Sequence, residues 1–231
     1  MTCAVVSPYE KALDLISTKR RGFLTALCGA SGVGKTTIIN KLKENPLCDS
    51  SKQPYDICFI TEVVRDVYSR PKYKDNFPNL SLIRKDTDAC TRFQYDILIE
   101  QIKREQHALS KHKIVISDRS ILDNFMYTLF WCNREHPLFD SCVNIVHDLI
   151  YAKHNEEDYG SAYYNILIHV PPFGKKVDDG FRTYDLSYQK EQDKLLVMLL
   201  PATYTYSLIP YTTIEDRVEE VKMLLQSCIG L

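Results

Sequence analysis

Net charge, paired cysteines and long apolar runs are all scarce in this chain of 231 residues. With 29 basic against 30 acidic residues the net charge is −1, so no global field draws the chain to DNA or to an anionic membrane, and affinity for a polyanion would need a local groove. None of the eight cysteines stands in a C-x-x-C pair. That argues against disulfides and zinc, and for reduced thiols in a cytosol-like compartment, most of them small buried hydrophobes. No stretch approaches a membrane span, and residues 1–22, which include Lys11, Lys19, Arg20 and Arg21, lack the unbroken apolar core of a signal peptide. Internal repeats, low-complexity runs and linkers are also missing. The expectation is a single cytoplasmic domain with an N-terminal extension at 1–22, long enough to bury its core without staples.

What is present is organised around residues 23–42, an apolar run that breaks into glycines and restarts with helical spacing. Gly29, Gly34, Lys35 and Thr36 fit G-x-x-x-x-G-K-[ST]. The glycines let backbone N–H groups curl round phosphate oxygens, and the next helix turns its positive end to the same anion. Gly29, Ala30, Ser31, Gly32, Val33, Gly34, Lys35, Thr36 and Thr37 are the expected nucleotide cradle, with Lys35 reaching the β- and γ-phosphates and the Thr36 hydroxyl on Mg²⁺. The flanks agree. Phe23, Leu24, Ala26, Leu27 and Cys28 read as a buried strand, and Ile38, Ile39 and Leu42 as the core face of a helix.

Farther along, a second buried strand at 56–60 delivers Thr61, Glu62 and Arg65 at its carboxyl end, where ligands sit in an open parallel sheet. Glu62 reads as a general base for an acceptor hydroxyl, with Arg65 as a partner for it or for a phosphate; an ordinary ion pair at a helix start is the other reading. Residues 68–85, with Pro71 and Pro78, look too irregular for a long element and are expected to form an acceptor flap. A long helix follows, with capping residues at 86–88 and apolar Ala89, Phe93, Ile97 and Ile102. On it Gln94 and Gln101 either hydrogen-bond an acceptor's base or carboxamide or simply face solvent.

The third strand, 113–117, runs into Asp118, Arg119 and Ser120. An apolar run ending in Asp is what Mg²⁺ coordination asks for beside a phosphate loop, which makes Thr36 and Asp118 the expected metal ligands. Where a hydrolysing ATPase commonly places Glu, this chain has Arg119, a cation suited to phosphate charge, so transfer is favoured over hydrolysis. Asp123, on the helix that follows, is a candidate substrate contact. A fourth strand at 165–170 stops at Pro171-Pro172, and residues 172–187 read as a lid that inserts Arg182. A fifth strand at 204–209 precedes a helix started by Thr212 with Glu215 or by Thr213 with Asp216. Five strands alternating with helices predict an α/β three-layer phosphate-loop fold, a parallel sheet covered on both faces.

GASGVGKTT, TEVVRD, SDRSILDNFMY and VDDGFRTYD resemble the nucleoside and nucleotide kinase group of phosphate-loop proteins. The likeness spans residue 23 to about 228 and is nearest to the AAA-labelled phage and bacterial kinases similar to the ribosylnicotinamide kinase domain. Deoxynucleoside kinases and thymidylate kinase are more distant. The resemblance implies ATP and Mg²⁺ as cofactors, Glu62 near the acceptor hydroxyl, Arg119 on phosphate and Arg182 in the lid. Val63 stands where deoxynucleoside kinases have Pro after the Glu, so acceptor identity does not carry over. The expected partner is a small nucleoside- or nucleotide-type molecule. One alternative is a polynucleotide or modified base held by Lys72, Lys74, Arg84 and Lys85, a set diluted by Asp75, Asp86 and Asp88. Another is a phosphate-loop ATPase. A GTPase is disfavoured because the one Asn-Lys pair, Asn40-Lys41, is followed by Leu42-Lys43 on the first helix.

Overall fold

The computed structural model describes residues 22–48, 51–61, 63–151, 162–172, 186–210 and 213–229. The first apolar run forms β1 (Phe23–Cys28), and the glycine loop leads directly into α1 (Lys35–Glu44). Next come β2 (Ile57–Ile60), α2 (Val63–Tyr68), α3 (Pro71–Lys74), α4 (Leu80–Lys85) and the long α5 (Thr87–Leu109). β3 (Ile114–Asp118), α6 (Ile121–Trp131) and α7 (Pro137–Val146) follow, the last running into a π-helical turn at His147–Tyr151. β4 (Ile166–His169), α8 (Leu186–Leu199), β5 (Thr205–Ser207) and α9 (Ile214–Cys228) complete the described chain.

The strands pair in parallel in the order β2-β3-β1-β4-β5. Side chains of a strand alternate between faces, and β1 divides its own accordingly. Leu24, Ala26 and Cys28 join the core shared with α5, α6 and α7, whereas Leu27 joins the core under α1 and α9. Helices thus cover both faces of a five-stranded parallel sheet, the three-layer α/β arrangement the alternation predicts. Local chemistry sets the helix starts. The Asp86 carboxylate accepts from the Ala89 N–H at 2.9 Å to open α5, and Thr213 with Asp216, one of the two pairs foreseen, forms the capping box of α9.

Two expectations are corrected. Residues 68–85 are more regular than their prolines suggest, because Pro71 sits at the start of α3, where its missing N–H costs nothing, and Asn79 caps α4 through a bond from the Leu82 N–H. Tyr73 and Ile83 anchor these short helices in the core. Neither Gln94 nor Gln101 faces solvent; both are buried on α5. Of the extension expected at 1–22, residues 1–21 lie outside the described residues, as do residues 173–185, including Arg182, of the lid expected at 172–187. Among those described, no helix is long and apolar enough to cross a membrane.

Candidate active site

The glycine loop closes tightly because its neighbours leave no alternative. A Cβ on Gly29 would stand 2.5 Å from the Val170 carbonyl oxygen, so only glycine lets the loop pass the chain leaving β4. Gly34, at the helix cap, has φ of 95° and offers no side-chain cap to α1, so the N–H groups of the first turn stay turned to an incoming anion. Lys35 is buried, its ammonium bonded to the carbonyls of Gly29 at 2.6 Å and Ala30 at 2.8 Å. Thr37 is exposed on α1, beside Thr36.

The pairing of β1 with β3 brings the second half of the site alongside, since Leu27 is in register with Asp118. The Thr36 hydroxyl donates to the Asp118 carboxylate at 2.5 Å. This pair of hard oxygens fits Mg²⁺, which commonly takes one or two protein oxygens and completes its octahedron with phosphates and water. Among the described residues no group of three acidic, His or Cys side chains offers a competing all-protein cage.

Arg119 has a φ of 102°, a left-handed conformation unusual for a residue with a side chain. Its N–H donates to the Leu27 carbonyl at 3.0 Å, fixing the turn to β1 beside the loop. Burial opposes its charge, but the Tyr127 hydroxyl and the Asp123 and Asp118 carboxylates outweigh that and hold the guanidinium protonated. Asp123 is fully buried. One of its carboxylate oxygens accepts from the Gly29 N–H at 3.1 Å, the other from the Ser120 N–H at 2.9 Å and hydroxyl at 2.8 Å. The geometry therefore makes Asp123 a strut between the loop and the start of α6, away from a substrate surface.

The Arg119 side chain leads into a pocket walled by Val64, Ile83 and Phe93 and edged by Arg84, Gln94, Asn124 and Tyr127. Three buried polar atoms line it without a hydrogen-bond partner among the described residues: Oε1 of Gln94, Nδ2 of Asn124 and Nη1 of Arg119. The last stands 3.7 Å from the Asp123 carboxylate, close enough for an ion pair and too far for a hydrogen bond. Orphaned polar atoms of this kind are costly unless a ligand or water completes them. The pocket encloses about 30 Å³, far below the roughly 300 Å³ or more of an ordinary small-molecule site, so a molecule of that size would enter only if its wall yielded. Arg84 lies over the rings of Tyr127 and Trp131, 5.9 and 5.7 Å from their centroids. The Trp131 N–H donates to the Tyr188 hydroxyl of α8 at 2.7 Å.

Other sequence-predicted residues fall outside this constellation. Arg65 is exposed on α2, and Glu62 and Arg182 lie outside the described residues. Of the four cations considered for a polynucleotide, Lys72 is ion-paired with Asp96, Lys74 and Lys85 are exposed, and Arg84 is half-buried against aromatic rings. α8 also touches the phosphate loop, a contact the sequence reading did not anticipate. The Ser31 carbonyl accepts from Gln189 at 2.7 Å, and the Ser31 N–H donates to Gln192 at 3.3 Å. The signal for it was two glutamines three residues apart, a spacing that shares one helix face. Asn124 was likewise legible only as a polar residue on a helix.

A family model described as an AAA domain matches residues 24–217. Among curated proteins, none matches the sequence. Solved structures do. A NadR protein in complex with NR superposes with a TM-score of 0.61 at 17% identity, over 91% of this chain and 52% of that one. A NadR protein in complex with NAD and AMP-PNP gives 0.57 at 15%, over 91% and 50%. The chain thus spans about half the length of both. Thymidylate kinase from Candida albicans gives 0.56 at 13%, over 91% of this chain and 93% of that one. At such identities the likeness speaks for the fold.

Proposed function

Because the chain belongs to this AAA-domain family and has a phosphate-loop nucleotide-kinase-like fold, we propose that it transfers the γ-phosphate of ATP, with Mg²⁺, to a hydroxyl of a nucleoside, a nucleotide or a related small molecule. The observation that carries this reading is the reach of Arg119. Its main chain is bonded beside the phosphate loop, and its guanidinium lines a pocket where three buried polar atoms lack a hydrogen-bond partner among the described residues.

In this reading the loop N–H groups, the start of α1 and Lys35 hold the β- and γ-phosphates. Thr36 and Asp118 would hold Mg²⁺, which supplies neutralisation of the charge on the phosphates. Gln94 and Asn124 offer an acceptor atom and a donor atom to the polar edge of a planar ring, and Phe93 and Ile83 give its faces apolar cover. Glu62 orients the attacking hydroxyl as base, Arg65 serves as a partner for it or for a phosphate, and Arg119 with Arg182 steadies the phosphoryl group between donor and acceptor. The likenesses to a NadR protein bound to NR and to a thymidylate kinase support an acceptor of nucleoside size.

The test is a transfer assay. Purified protein is incubated with γ-labelled ATP, Mg²⁺ and a panel of nucleosides, nucleotides, ribosylnicotinamide and DNA. Label is expected on a small-molecule acceptor, with one ADP formed for each phosphorylated product. Label on DNA alone points to the polynucleotide alternative, and label released only as inorganic phosphate, whatever the acceptor, points to an ATPase.

A further inference from the structure

The turn that carries Asp118 and Arg119 is braced from behind by one buried carboxylate. Glu105, near the end of α5, is fully buried. It accepts from the Gln101 amide at 2.7 Å and from the Tyr163 hydroxyl at 2.8 Å, and the Tyr164 hydroxyl lies 3.1 and 3.3 Å from its two oxygens. Two of these partners continue to the turn from opposite ends. On the strand side the Gln101 amide also contacts the Ser117 hydroxyl at 2.6 Å and the Arg119 carbonyl at 3.2 Å. On the helix side the Tyr164 hydroxyl accepts from the Ile121 N–H at 2.9 Å. Between these anchors sits Arg119 with its positive φ, a conformation that persists only where its surroundings over-determine it.

We propose that Glu105 is a positioning residue for phosphoryl transfer, a role that rests on the transfer reading above. Acting through Gln101 and Tyr164, it clamps the 117–121 turn from both ends, so that Asp118 meets Thr36 while the Arg119 guanidinium faces the acceptor pocket. A carboxylate suits the task because it accepts from several donors at once, whereas an apolar residue of the same size would leave Gln101 and both tyrosines without their shared partner. Burying it is costly, and the placement of its partners at the two ends of one turn accounts for that cost.

Two equal-looking deletions separate positioning from simple stabilisation. Gln101→Met cuts the link between Glu105 and the strand side of the turn, whereas Tyr163→Phe removes one bond to Glu105 and leaves both routes to the turn in place. In the full chain, Gln101→Met and Glu105→Gln are expected to lower kcat for transfer by about 10- to 100-fold, the scale of a small misplacement of a reacting group. ATP affinity, by calorimetry, should stay within about twofold, since the phosphate loop keeps its own bonds. Tyr163→Phe should keep kcat near the wild-type value. The double variant Glu105→Gln with Gln101→Met should be no slower than the worse single one, because both act through one chain of contacts.

A second readout needs no turnover. The backbone amide resonance of Arg119 should move in Glu105→Gln and Gln101→Met and that of Ile121 in Glu105→Gln, while both stay in place in Tyr163→Phe. A folded Gln101→Met protein with unchanged kcat overturns the proposal, and so does one in which the Arg119 resonance stays put. Should Gln101→Met fail to fold, the isosteric Glu105→Gln decides on the same two readouts. Wild-type protein that transfers phosphate to no acceptor would instead overturn the transfer reading, and the amide resonances would still decide whether Glu105 holds the turn.

Discussion

Lys35 rests with its ammonium against two carbonyls of its own loop, a charge held at the place where phosphate oxygens are expected. Lys35→Ala should remove that charge, lowering turnover on the order of 10²-fold or more with the fold intact; near-normal kcat in a protein with unchanged circular dichroism would take the loop out of the mechanism. The two carboxylates at the strand ends should part ways. Glu62→Gln is expected to bind ATP with nearly unchanged affinity and to lose about 10²-fold or more in transfer, while Asp118→Asn shifts the Mg²⁺ concentration needed for half-maximal rate. A Glu62→Gln protein that transfers at the full rate would remove Glu62 as the proposed base. Glu105 also gives the stability a pH dependence. Burial pushes its carboxyl up from 4.5 to about 7, against the pull of the hydrogen bonds from Gln101, Tyr163, Ser117 and Tyr164. The folded protein therefore binds more protons than the unfolded chain between these values. The stabilisation is fully present below pH 4.5 and is lost as pH rises through 7. Its size is roughly 3 kcal/mol. Urea midpoints for wild type should fall between about pH 5 and pH 8 by more than those for Glu105→Gln, in which this contribution is gone; equal slopes would show that the carboxyl titrates elsewhere.

Elements pass this order on. The start of α6 is held by the capping box of Ser120 and Asp123, and the same aspartate reaches the Gly29 N–H, so the helix and the phosphate loop share one carboxylate. Asp123→Ala should cost about 1–3 kcal/mol through the lost cap and the unpaired buried N–H. It should also weaken ATP binding, which a change confined to the helix would leave alone; chemical denaturation and calorimetry on the same variant measure both. What the sequence made legible at this scale was whatever is local. The phosphate loop, the Asp86 cap, the Thr213 box and β1 all depend on neighbours within a few residues. α3 and α4 were not legible, because a proline reads as a breaker unless its place in the first turn is known. Gln94 and Gln101 were picked out by residue type, but their burial depends on β3 and α6. Glu105 was invisible, since it takes its meaning from Tyr163 and Tyr164, 58 and 59 residues away.

Across the molecule, the strand order puts β1 at the centre with β3 beside it and β2 beyond. The phosphate loop, the Asp118 turn and the end of β2 therefore lie side by side, an adjacency that alternation alone does not specify. The chain's one tryptophan, Trp131, ends α6, the helix that starts just beyond the Asp118 turn. Trp131 has Arg84 of the pocket wall over its ring and gives its N–H to Tyr188 of α8, the helix that also holds Ser31. Indole emission is sensitive to a nearby charge and to the loss of a hydrogen bond, so Trp131 is placed to act as an intrinsic optical reporter for both proposed ligands. With no label attached, ATP acting through α8 and an acceptor displacing Arg84 should each leave a separate change in the emission spectrum, whereas an emission indifferent to a saturating acceptor would leave Arg84 unmoved by it. The order in which the two changes appear in a stopped-flow trace then reads the order of binding.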